Sequence, residues 1–202
     1  MSSSLVFTAV AGSVLLCAVL AAYGFKGRVT TIGVDLGTTF SVVGVHLDGK
    51  VQIVTDKQGR NIFPSVVSYL PDGEVAVGYE AVGLLSARPA DTIFNSKRFI
   101  GRSLDEEEVQ AYASAHPFQL AAVGSEVTPF GQVGVRLSAA ATGHPRDLSP
   151  ESVGTRVLQH LLRLTADFLG HSQVSKAVIA VPAKFSAQQR AATGGRCRGR
   201  DL

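Results

Sequence analysis

Apolar residues recur along this chain in three rhythms. Leu5 to Tyr23 is a run without a single charge, densest from Val14 to Ala22. From Ile32 to Val54 the apolar positions come in short β-branched pieces broken by polar turns, the pattern of paired strands. From Val153 to Leu169, Val153, Val157, Leu158, Leu161, Leu162, Leu164, Phe168 and Leu169 recur at helical spacing. The first rhythm is long enough for a membrane span, at about 20 residues, or for the ~7–15-residue core of a secretory signal. Ala21, Ala22 and Gly24 offer cleavage positions, whereas Lys26 and Arg28 favour keeping that flank cytosolic. Residues 1–24 are therefore expected to be a signal peptide or a signal anchor, rather than a core helix.

The second rhythm predicts a three-stranded antiparallel meander. Ile32 to Leu36 is one strand, Val42 to Leu47 the next and Val51 to Val54 the third, with Asp48-Gly49 as a hairpin turn. Beyond it the pattern loosens. Ile62 to Tyr69 is strand-like with Pro64 suiting an edge, Pro71-Asp72-Gly73 is a turn, and Glu74 to Val77 is a short strand. Gly78 to Ala87 is read as a short helix ended by Pro89. In Asp91 to Arg102, Asp91 is an expected N-cap, Ile93, Phe94 and Phe99 or Ile100 face a core, and Gly101 ends the turn. Leu104 to Ala115 is an acidic helix with Asp105 to Glu108 in its first turn. Phe118 to Leu137 alternates strand pieces with glycines, and residues 139–145 form a small-residue loop. This middle is expected to be a subdomain inserted into a more regular α/β unit.

Regularity returns at Ser149-Pro150-Glu151, which combines a capping hydroxyl, a proline at the first helical position and an acid in the first turn. Gly170 is the matching stop. Lys176 to Val181 is apolar enough to be a strand buried between helical layers. Pro182 ends it, and Ser186 and Gln189 are spaced as a capping box that opens another helix.

Composition suits a packed core: of 202 residues 46% are hydrophobic and 17% charged. The formal charge of +3 is largely local, because Arg196, Arg198 and Arg200 face only Asp201 in the last nine residues. No basic stripe argues for nucleic acid. Two cysteines, Cys17 and Cys197, cannot build a disulfide framework or a zinc site. Neither a His-Glu-x-x-His nor a Gly-x-Ser-x-Gly unit occurs, which removes the common metalloprotease and hydrolase readings.

The chemistry sits where the first two strands reverse. Gly37 lets backbone approach a ligand, Thr38 and Thr39 add hydroxyls, successive N–H groups can cradle an anion, and Asp35 can hold a hydrated divalent cation. The same composition also suits an ordinary hairpin turn. Lys97 and Arg98 read equally as a solvated basic face.

Four segments in order carry a resemblance. They are Ile32 to Thr39, Ile62 to Ser65, Asn95 to Arg102, and Val181 to Phe185 with Gln189-Arg190. Together they resemble the nucleotide-binding domain of the stress-70 (heat-shock-protein-70) family, among the actin-like ATPases. The resemblance implies an α/β fold: the first lobe of an actin-like (ribonuclease H-like) ATPase domain with an inserted α+β subdomain, preceded by an apolar N-terminal helix. Residues 29–193 would be a partial nucleotide-binding domain, with the inserted subdomain at about 62–147, followed by a divergent Arg/Gly tail at 194–202. Asp35 would sit by a water-bound magnesium ion. Gly37, Thr38, Thr39 and Phe40 would cradle the phosphates of ATP or ADP, and Lys97 would reach the γ-phosphate and the attacking water. Pro182 and Arg190 match positions the family uses to relay nucleotide state.

No Asp-x-Gly-Gly-Gly-Thr run and no Asn-Glu-Pro is present, so the resemblance covers the first lobe and implies a C-terminally truncated chain. The leader is most like the microsomal branch of the family, which has the ATPase domain without the peptide-binding domain. The implied activity is that of an ATP-binding chaperone assisting folding in the endoplasmic reticulum lumen, with ATP hydrolysis in the longer parent. Partners would be ATP and chaperone or ubiquitin-like quality-control proteins, with membrane contact only through residues 5–23. The alternatives are a membrane-anchored protein, and a non-catalytic truncated isoform acting as an interaction fragment or an unstable splice product.

Overall fold

The computed structural model describes residues 10, 12–19, 31–47, 49–123, 131–138, 141, 143–170, 174, 176–187, 189–190 and 193. Residues 12–19 are helical (α1). Most of the expected signal or anchor, the Asp48 turn position and the 194–202 tail lie outside the described residues. Among those described, no helix is long and apolar enough to cross a membrane.

The main sheet begins as expected from the alternation. β1 (Thr31–Asp35) and β2 (Phe40–Leu47) pair antiparallel, and β3 (Lys50–Ile53) returns along β2. Gly49, at φ +77°, takes the left-handed conformation that the β2–β3 turn needs. The chain then leaves the sheet through β4 (Phe63–Pro64), which pairs with the start of β2. The expected strand over 62–69 is thus two strands, because the backbone switches partners at Ser65. β5 (Val67–Tyr69) lies between β6 (Val75–Val77) and β7 (Thr92–Ile93) in a separate small sheet. Between β6 and β7, α2 (Tyr79–Gly83) and a one-turn 3-10 helix at Pro89–Asp91 cross over.

Asp91 is not an N-cap. Its buried carboxylate accepts bonds from the Arg88 guanidinium and from both the N–H and hydroxyl of Ser138, each at 2.8 Å. Long-range bonding has outcompeted the local cap. A second one-turn 3-10 helix, Ser96–Arg98, follows, and Gly101 closes it at φ +65°. α3 (Glu107–Ala115) starts later than its acidic run, since the Glu106 carboxylate is engaged by the Ser103 N–H and Arg102. β8 (Gln119–Val123), β9 (Gln132–Arg136) and β10 (Asp147–Leu148) make the third sheet.

α4 (Pro150–Leu169) keeps both of its expected ends: Ser149 Oγ accepts the Ser152 N–H, and Gly170 is left-handed. Its stripe of Val153, Val157, Leu158 and Leu161 shares one core with Ile32, Val34, Val43 and Val45 of the sheet. Each such side chain contributes about 1.5–3 kcal/mol on burial, so this helix–sheet contact sets the frame. β11 (Lys176–Ala180) adds parallel to β1 as the edge of the order β11-β1-β2-β3. Its expected burial does not occur. Val178 is 66% exposed, because the strand lies at an edge and this side chain is on the face away from α4, while its neighbour Ile179 packs partly buried on the core.

Candidate functional site

The loop from Asp35 to Phe40 is shaped by one steric fact and one bonding circuit. A Cβ on Gly37 would lie 1.9 Å from the Phe40 carbonyl oxygen, so only glycine fits there. The Gly37 N–H donates to Ser41 Oγ at 3.2 Å, and Ser65 Oγ donates to the Gly37 carbonyl at 2.9 Å. Ser41 and Ser65 hydroxyls are 2.8 Å apart. Since the Ser65 proton is spent on Gly37, Ser41 must be the donor between them. The circuit runs one way, from Gly37 N–H through Ser41 and Ser65 back to the Gly37 carbonyl. Ser65 N–H also donates to the Thr39 carbonyl at 2.8 Å. Gly37 therefore shapes the loop, and its N–H is engaged by Ser41 in this structure. The N–H groups and hydroxyls of Thr38 and Thr39 have no partner among the described residues.

Lys97 reaches this loop from the 3-10 turn at Ser96–Arg98. Its Nζ donates to the Leu36 carbonyl and lies 5.6 Å from the centre of the Phe185 ring. Burial holds its pKa below the ordinary value, while the charge of Asp35 pulls it back up. No ion pair closes between the two, and the exposed Asp35 carboxylate bonds to no described residue. The turn is itself anchored. Asn95, left-handed at φ 57°, lies with its amide 3.3 Å from His116 Nε2. His116 Nδ1 sits 2.7 Å from the Tyr112 carbonyl, which can only accept, so Nε2 is the acceptor for Asn95.

An open cleft of about 550 Å³ brings Thr38, Lys97, Pro182, Phe185 and Gln189 together. Thr39 and Phe40 do not line it. Phe40 is instead exposed at the start of β2. Arg190 also stays out, its guanidinium donating to the carbonyls of Pro182, Ala183 and Phe185 at 3.3, 2.8 and 3.1 Å. It staples the segment that carries Pro182. The supports missed in the sequence are Ser41, Ser65 and His116. Ser41 had a visible signal: it falls on the inward side of a strand, where a hydroxyl needs a partner.

The donor set suits a hydrated magnesium ion with phosphate oxygens. One free carboxylate, two unpaired hydroxyls and an ammonium match an ion that keeps several waters. Among the described residues no three His, Cys, Asp or Glu side chains form a dehydrated cage.

The family described as Hsp70 protein matches residues 31–197. Heat shock 70 kDa protein 13 of Mus musculus is 38% identical over 164 residues, which is 80% of this chain and 32% of that protein. The Rattus norvegicus protein of the same name matches to the same extent. The chain thus spans about a third of the length of these relatives.

Proposed function

Because the chain belongs to the Hsp70 family, we propose that residues 31–193 form a phosphate-holding lobe of an ATP-binding, chaperone-family protein. One observation carries the proposal: Lys97 reaches across 61 residues of sequence to the carbonyl beside the Gly37 loop. That bond brings Lys97 beside Thr38, with which it lines one cleft. Thr38 and Thr39 would bind the β- and γ-phosphates through N–H and hydroxyl groups, and Lys97 would set its charge against the γ-phosphate. Asp35 would orient the water shell of magnesium, which supplies charge neutralisation when bound. Such sites work by positioning and electrostatics, with little covalent work for the protein. Pro182, held by Arg190, would sense the occupant. ATP hydrolysis would belong to a longer protein of the relatives' length. Entry into the endoplasmic reticulum, by a cleaved leader or a membrane anchor, is the matching proposal for residues 1–24, with chaperone or ubiquitin-like quality-control proteins as partners.

Calorimetry of the full chain with Mg-ATP tests this. Binding is expected, and Lys97→Ala should weaken it about tenfold or more, the scale of a hydrogen bond to a charged group. Because an anion favours the charged ammonium, binding should also weaken as pH rises through the depressed pKa of Lys97. Absence of heat and of any melting shift at millimolar Mg-ATP, alike in both proteins, would overturn it. A second reading, a non-catalytic interaction fragment, is favoured by the exposed apolar sheet face that includes Val51, Ile53 and Val178. Partner binding that persists without nucleotide would mark it, and a monodisperse monomer would count against it.

A further inference from the structure

Gln189 is tied at both ends of one amide. Its side-chain oxygen accepts the Ser186 N–H at 3.0 Å, while its own N–H donates to Ser186 Oγ at 3.2 Å, a reciprocal capping box. The amide nitrogen points the other way and donates to the Ile100 carbonyl at 3.2 Å. Ile100 lies two residues beyond the Ser96–Arg98 turn that carries Lys97. The next residue, Gly101, supports the contact independently. A Cβ there would meet Gln189 Cγ at 3.0 Å, Cα at 3.2 Å and N at 3.3 Å. The two backbones therefore approach as closely as glycine allows. On the far side, Arg190 N–H donates to the Ser186 carbonyl, and its guanidinium holds the carbonyls of Pro182, Ala183 and Phe185.

We propose that Gln189 is a positioning residue that mechanically couples the Lys97 turn to the Pro182–Arg190 segment. Its capping oxygen senses the start of the second segment and its amide protons hold the end of the first. Neither can shift without stretching a bond of the same side chain. The functional consequence rests on the reading of Lys97 as the phosphate-facing ammonium, but the coupling itself does not.

Gln189→Glu isolates the tie. A glutamate keeps the length and the capping oxygen but has no proton for Ile100. Amide hydrogen exchange in the ligand-free full chain should then quicken about two- to tenfold at Phe99 and Arg102, the worth of one neutral hydrogen bond. The Arg190 amide and the amides of α4 should hold their rates, so that melting temperature hardly moves. Ser186→Ala loosens the capping box but keeps the tie to Ile100, so it should quicken Arg190 and, through Gln189, Phe99 and Arg102 as well. If Ser186→Ala quickens Arg190 and leaves Phe99 and Arg102 unchanged, Gln189 is only a cap and the coupling is overturned. Should Gln189→Glu fail to fold, Gly101→Ala provides the second cut, pushing the segments apart with the amide intact. It must also quicken Arg190 if they are coupled, and an unchanged Arg190 overturns the proposal. Failure of the unsubstituted chain to bind Mg-ATP would remove the functional reading alone, since the exchange comparison contains no nucleotide.

Discussion

At the scale of single residues, the candidate site rests on hydroxyls that a ligand would never touch. Ser65 is 5% exposed and Ser41 fully buried, yet each hydroxyl is satisfied, and together they fix where Gly37 turns. Ser65→Ala removes two bonds at once and strands the Gly37 carbonyl and the Ser41 proton. It should lower stability to urea by about 1–3 kcal/mol, the cost of buried polar groups left unpaired. Thr39→Ala is the contrasting case, since it is exposed and its hydroxyl has no partner among the described residues. Its stability should stay within about 0.5 kcal/mol, while Mg-ATP binding weakens. A urea midpoint that moves as far for Thr39→Ala as for Ser65→Ala would contradict this division between scaffold and ligand contact.

At the scale of elements, α4 was the most legible part of the chain because its information is local. Ser149, Pro150, Gly170 and the apolar stripe are all set by neighbours within a few turns, and the capping box at Ser186 and Gln189 was readable for the same reason. Asp91 failed as a cap, and β11 failed as a buried strand, because their partners are remote: Ser138 for one, the position in the sheet order for the other. Periodicity records which residues are apolar, not which face of a sheet is covered. α4 also carries a titratable group whose effect can be measured. His160 lies edge-on to Phe63, and its Nε2 is 3.3 Å from where a Gly78 Cβ would be. Burial, aided by Arg163 and opposed by Asp56, holds its pKa below the ordinary 6.5. The unfolded chain thus takes the proton first as pH falls through 6.5, so stability is lost from there down through the folded pKa and is unaffected above it. Melting temperature should drop between pH ~7.5 and ~5 more in the unsubstituted chain than in His160→Gln. Asp56 and Asp147, both held below 3.8, do not contribute in that window. Parallel melting curves in the two proteins would rule out His160 as the source.

At the scale of the whole molecule, the two faces of the main sheet are unequal. One packs on α4. The other has Gly33 and Gly44 at its centre, paired in register with each other and flanked by Val178 of β11 and Ile53 of β3. Missing side chains at the middle of a row with valine and isoleucine at its rims leave a shallow apolar trough, where Val51 is 72% and Ile53 45% exposed. Alternation alone predicted which side chains share this face, but coverage depends on chain far away in sequence, so its exposure was not legible. The trough is open to solvent among the described residues, and that has a measurable consequence. Val178→Lys places a charge on an exposed edge position, a usual protection against edge pairing. It should alter stability by no more than about 0.5 kcal/mol, as surface changes do, and should reduce self-association of the chain in light scattering. A loss well beyond that, with the scattering unchanged, would mean that the face is covered in solution. Val178 would then be a core residue, and the interaction-fragment reading would lose the one observation that favours it.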